Sequence, residues 1–144
     1  MADSIFPFID ATVSDTITMP TEELREYAWN FEAGEFLLEN GKCKIVEGLE
    51  AIKIKIYKAL ITQRYRYLIY SWDYGSELEE LIGQKYSKEF TNSEALRYIQ
   101  DALQAYFDNG WITSIKNFVT SFSDETLHIT FDVVTPYGEA NIHV

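Results

Sequence analysis

From residue 26 to residue 32 apolar and polar positions alternate, with Tyr27, Trp29 and Phe31 on one side, which predicts a half-buried strand. Phe36 and Leu38 continue the theme to Asn40-Gly41, a two-residue hairpin signal because both positions tolerate φ > 0. Lys42 to Val46 is then the return strand. Residues 49–63 fit two periods. Ile52, Ile54 and Ile56 alternate with lysines as in a strand, whereas Leu49, Ile52, Ile56, Ala59 and Leu60 fall at helical spacing. The length of the run and its lack of turn residues favour a helix of about four turns, with Lys53, Lys55 and Lys58 mostly in solvent.

Arg64 to Tyr70 reads as a short extended segment. Alternation there puts Tyr65 and Tyr67 toward the core and Arg64 and Arg66 on the other face. Asp73-Tyr74-Gly75 is a turn. Ser76 with Glu79, and Thr91 with Glu94, have capping-box spacing. The first opens a short helix closed by Gly83. The second opens an amphipathic helix with Leu96, Ile99, Leu103 and Tyr106 inward, ended by Asn109-Gly110. Beyond it Phe118, Thr120 and Phe122 alternate, then Leu127, Ile129, Phe131 and Val133, on either side of a Ser123-Asp124-Glu125 turn. Pro136-Tyr137-Gly138 leads into a last short strand over 139–144.

The expected fold is therefore α+β, a single small domain over residues 21–144 in which an antiparallel sheet, with an N-terminal hairpin and a C-terminal meander, packs against about three helices. Residues 1–20 show no period and read as an extended arm. Ile5, Phe6, Phe8 and Ile9 cluster around Pro7, and a polar stretch runs on to Met19-Pro20. Such an arm is either a frayed terminus or a segment that docks on a neighbour, with Phe6 and Phe8 as its contact residues.

Charge narrows the possible partners. The chain of 144 residues carries 23 acidic and 12 basic side chains, a net charge of −11. Contact with duplex phosphates needs a positive surface, so a nucleic-acid partner is not expected. Ten tyrosines, nine phenylalanines and three tryptophans exclude a disordered acidic tail. Residues 51–75 stand apart, with five basic residues and one acidic, a polarity that suits contact with charged protein neighbours. Cys43 is the single cysteine, which fits assembly in a reducing compartment. The N-terminus has no signal-peptide pattern and no apolar run approaches a membrane span, so synthesis in the cytoplasm and no membrane partner are expected.

Chemistry finds little to work with. Cys43 lies beside a hairpin turn without a helix N-terminus to activate it. His128 and His143 fall on neighbouring strands and can meet, but a metal site needs three or four ligands. Carboxylate pairs abound among 23 acids, which makes any one pair uninformative for glycoside hydrolysis. Arg64-Tyr65-Arg66-Tyr67 interleaves cations with aromatics as a single-strand nucleic-acid groove does, yet arginines paired with nearby acids and tyrosines in the core explain it better. No catalytic, metal or cofactor site is expected.

One long and oddly composed run carries a resemblance. Gly48-Leu49-Glu50-Ala51, Ile56-Tyr57-Lys58, Arg64-Tyr65, Tyr70-Ser71-Trp72-Asp73-Tyr74-Gly75, Glu77-Leu78 and Leu81-Ile82-Gly83 together are similar to the signature of XkdS-like baseplate proteins of contractile phage tails and phage-like particles. These belong to the wider sheath-initiator, or tail-lysozyme-like, baseplate-wedge family. The resemblance extends loosely from Phe6-Pro7 to Thr135 and Gly138.

It implies an α+β fold with residues 49–63 helical, and a structural rather than enzymatic role. That role is to link the baseplate wedge to the sheath and to start sheath assembly, by strand addition at a sheet edge. Implied partners are the tail sheath protein, baseplate wedge and hub proteins and the tube or spike region, with several copies in a ring-symmetric baseplate assembled in a bacterial host. The edge expected to do this is the last strand, with Ile142 and Val144, and the candidate contact residues within the signature are Arg64, Arg66, Trp72, Asp73, Tyr74 and Glu77. Two departures bear on it. The Glu-Pro-Arg triplet that some relatives carry after the long helix is absent, since 118–122 reads FVTSF, and Ile54 stands where many relatives have Gln. The competing readings are a peptidoglycan-degrading tail enzyme and a free acidic protein-binding module.

Overall fold

The structure, a computed structural model, describes residues 24–144. The arm over 1–20, with Phe6 and Phe8, lies outside the described residues.

The N-terminal part is not one hairpin but three short ladders. β1 (Arg25–Tyr27) is followed by β2 (Trp29–Asn30), β3 (Glu35–Phe36), β4 (Leu38–Glu39), β5 (Lys42–Cys43) and β6 (Ile45–Glu47). β1 pairs with β6, β2 with β3 and β4 with β5, all antiparallel. Asn30 causes the extra turn. Its Oδ1 accepts the N–H groups of Glu32 and Ala33, and Gly34 follows with φ of 69°. Phe31 therefore leaves the strand and packs edge-on against Tyr57, with ring centroids 5.1 Å apart. Asn40-Gly41 turns as expected, with φ of 51° and 75°. The ladders meet at the buried Ala28, where Ala28, Leu37 and Lys44 share three backbone hydrogen bonds of 2.7–3.0 Å.

α1 (Leu49–Ile61) resolves the ambiguous run as helix. Its buried residues include Ile54 besides Ala51, Ile52, Ile56, Ala59 and Leu60. That is wider than one amphipathic stripe, because the helix packs on β1 and β6 as well as on the C-terminal sheet and the next helix. The lysines are accordingly half-buried rather than mostly solvated. Lys58 and Lys55 reach Glu26 of β1 at 3.1 and 3.7 Å.

Neither expected capping box forms. Ser76 donates its hydroxyl to the Leu60 carbonyl at 2.6 Å, and Glu79 pairs with Arg66 instead. The short helix is a single 3-10 turn, Leu78–Leu81. α2 (Lys88–Ala102) begins three residues before Thr91 and is capped by Ser87, whose side chain accepts the Phe90 N–H at 3.2 Å. Thr91 is instead buried inside the helix, facing β7. Ala95, Ile99 and Leu103 are fully buried, and Leu96 and Tyr106 half-buried. The chain breaks at Leu103 before α3 (Gln104–Asp108).

β7 (Ser114–Ser123), β8 (Thr126–Thr135) and β9 (Gly138–His143) form the expected antiparallel meander with β8 central. Ile129, Phe131 and Val133 of β8, with Ala140 and Ile142 of β9, meet Ile52, Ile56, Ala59, Ile99 and Leu103 in one core. The helices thus cover one face of the sheet, and His128, Thr130, Asp132, Asn141 and His143 lie on the other. No helix is long and apolar enough to cross a membrane among the described residues.

Candidate interaction surfaces

Residues 63–76, inside the signature, form a loop rather than the expected extended segment. Its two ends are locked together. Gln63 and Ser76 bridge in parallel, the Ser76 N–H donates to the Thr62 carbonyl at 2.9 Å, and the Arg64 N–H donates to the Ser76 carbonyl at 3.0 Å. Arg64 turns inward, against expectation: its guanidinium donates to the Asp101 carbonyl at 3.3 Å and lies 3.9 Å from Glu77. Tyr65 adopts φ of 67°, which ends any alternation, so Tyr65 and Tyr67 are half-exposed instead of in the core. Arg66 pairs with Glu79 at 3.0 Å.

Tyr74 closes the loop from beneath. It stacks on Tyr70 at 4.6 Å, packs against the core, and burial pushes its phenol pKa up. Trp72 contacts Tyr65 at 5.0 Å yet remains 69% exposed. At the apex Leu68 and Ile69 are 99% and 87% exposed. Sequence reasoning missed both apex residues. Alternation put Leu68 on the face of Arg64 and Arg66, away from the core, and that was the available signal. Of the charged side chains on the loop, Asp73 makes no ion pair among the described residues.

The second surface is the outer edge of β9. Ile129 and Val144 exchange both backbone hydrogen bonds, at 2.8 and 2.9 Å. Antiparallel alternation then directs the N–H and C=O of Ile142 and Ala140 toward β8, and those of Glu139, Asn141 and His143 outward. Ile142 corrects the expectation for this strand. Its side chain is buried in the core and its N–H faces β8 rather than the open edge. Val144 is half-buried. Beside the edge runs a groove of about 330 Å³ lined by Phe31, Lys53, Tyr57, Ile142, His143 and Val144.

The other chemically suggestive residues have structural partners. The rings of His128 and His143 stack at 5.7 Å, and the His143 Nδ1 lies 3.0 Å from the Thr130 hydroxyl. Among the described residues no cluster of three or more potential ligands could hold a metal. Cys43 is exposed on β5. Glu94, expected at a cap, pairs with Arg97 at 2.7 Å, and that bond lowers its pKa.

Comparison with known proteins agrees with the signature. Residues 25–138 match the family described as contractile injection system sheath initiator. The phage-like element PBSX protein XkdS of Bacillus subtilis (strain 168) is 32% identical over 122 residues, covering 84% of this chain and 81% of the relative.

Proposed function

The chain belongs to the contractile injection system sheath initiators, and from that premise we propose that it joins the baseplate wedge of a contractile tail to the sheath and starts the sheath by strand addition on β9. Membership makes it a structural tail component rather than an enzyme. It also implies tail sheath and baseplate partners in a virion or phage-like particle. Contact with wedge, hub and tube or spike proteins, copies arranged in a ring, and assembly in the host cytoplasm are parts of the proposal. So is an arm, residues 1–20, that orders on these neighbours through Phe6 and Phe8.

The outer edge of β9, which pairs with no strand among the described residues, carries the strand-addition reading. Three residues there direct backbone donors and acceptors away from β8, and an apolar groove with one lysine lies alongside. An incoming strand gains ladder hydrogen bonds from the edge and a seat for alternate side chains from the groove. The other outer strand, β7, is the weaker candidate, because its register shifts between Lys116 and Val119 and that irregularity interrupts the row of outward backbone groups.

Proline at Asn141 tests this. It removes an outward N–H but no β8–β9 backbone bond, the Asn141 side-chain bond to Asp132 at 2.7 Å is lost in the threonine control as well, and an edge strand tolerates proline. Asn141→Thr keeps the N–H and serves as the control. Baseplates carrying Asn141→Pro should fail to grow sheath while those with Asn141→Thr grow it. Normal sheath on a folded Asn141→Pro chain would eliminate this edge. Ile142→Pro cannot serve, because it breaks the existing ladder.

A further inference from the structure

We propose that the apex of the 63–76 loop, Leu68 and Ile69 flanked by Trp72, is a knob that seats in an apolar pocket of a neighbouring tail protein, a pocket with a basic side chain at its rim. This rests on the tail-component reading but not on the β9 edge. It divides the loop and its base into two groups. Arg64, Tyr74 and Glu77 hold the base, whereas Leu68 and Ile69, which carried no expectation, present the contact.

Rigidity and exposure occur together here. An ordinary exposed loop tip is polar, and isolated exposed apolar residues need no explanation. This tip places two aliphatic side chains, 99% and 87% exposed, beside a tryptophan that is 69% exposed. The base is fixed by the Gln63–Ser76 bridge, the Ser76 hydroxyl bond to Leu60 and the Arg64 bond to Asp101. The ring contacts of Tyr65 with Trp72 and of Tyr67 with Tyr70 stiffen the stem. A loop ordered before binding loses little conformational entropy on docking, which is how a small apolar tip becomes an anchor.

Charge selects the partner. Both loop arginines are already held by glutamates, at 3.9 and 3.0 Å, so the loop offers no free cation to anionic lipid headgroups or to nucleic-acid phosphate. Asp73 makes no ion pair among the described residues, and a convex apolar tip beside such a carboxylate is complementary to a concave apolar pocket with a cation at its edge. A second copy of a chain with net charge −11 is a poor candidate for that pocket.

The experiment replaces the wild-type chain by full-length variants in assembling particles, then quantifies the chain in purified baseplates by mass spectrometry. Leu68→Ser with Ile69→Ser should lower incorporation at least about tenfold, the loss expected for two truncated anchors. Asp73→Lys should lower it too, with the apex intact. Asn141→Pro should remain in the baseplate at the wild-type level and fail only in sheath growth, so the two surfaces are read separately. Circular dichroism and urea unfolding should show the apex variants folded, since these side chains touch no core. Wild-type incorporation of the double Ser variant would overturn the proposal. So would apex-dependent binding of the isolated chain to vesicles of phosphatidylcholine and phosphatidylglycerol, or apex-dependent self-association in sedimentation.

Discussion

Gly75→Ala should be among the most destabilising single changes outside the core. Gly75 has φ of 101°, and a Cβ there would sit 2.6 Å from the Thr62 carbonyl oxygen and 3.0 Å from the Arg64 nitrogen. Both obstacles are backbone, and the Thr62 oxygen is the acceptor of the Ser76 N–H. The positive φ alone costs an L-residue about 1–2 kcal/mol. Relieving the clash means opening the loop base. That puts at risk the Ser76–Thr62 and Arg64–Ser76 backbone bonds and the Ser76 hydroxyl bond to Leu60, each worth about 0.5–1.5 kcal/mol. The total is on the order of 3–5 kcal/mol. Gly34→Ala isolates the conformational part, because Gly34 has φ of 69° and nothing within 4 Å of its Cβ. Urea unfolding should give Gly34→Ala a loss of about 1 kcal/mol and Gly75→Ala several times more. Equal midpoints for the two variants would refute the locked loop base.

Two further changes probe other joints of the fold. Burial raises the Glu26 pKa, but the Lys58 hydrogen bond, the Tyr27 backbone N–H and the charges of Lys58 and Lys55 together outweigh it and leave the carboxyl below its ordinary 4.5. A lowered folded pKa stabilises above the unfolded value and is lost as pH falls through the folded one, so Glu26→Gln should destabilise at pH 7, and its cost by urea unfolding should shrink progressively as pH falls below 4.5. Ser87→Ala should cost about 1 kcal/mol in the same assay, whereas loss of the Thr91 hydroxyl removes no cap.

Legibility followed the reach of the forces. The meander was readable because alternation in β8 encodes a buried face within a single strand, and each turn carries its own residues. The helix over 49–61 was left open by periodicity because two layers cover it, which blurs the stripe. The capping boxes failed for a related reason. Ser76 and Glu79 have the right spacing, but Leu60 and Arg66, distant in sequence, offer them better partners. The β9 edge was legible as an edge, yet its hydrogen-bond phase was not. Only the pairing of Ile129 with Val144 decides that Asn141 rather than Ile142 faces outward. At 63–76 the alternation rule presupposed a strand, and Tyr65 in a left-handed conformation cancels that premise.

The basic segment is consumed internally. Lys53 lies near Glu50, Lys55 and Lys58 converge on Glu26, Arg64 meets Glu77, and Arg66 meets Glu79. What looks along the chain like one pole of a dipole is, in space, a neutralised seam. With that segment paired, no unpaired basic pole in it offsets the net charge of −11. Copies crowded at one site repel each other, more strongly as ionic strength falls. Dense packing of this chain therefore requires positive material between the copies, and it should become less dependent on that material as salt is raised.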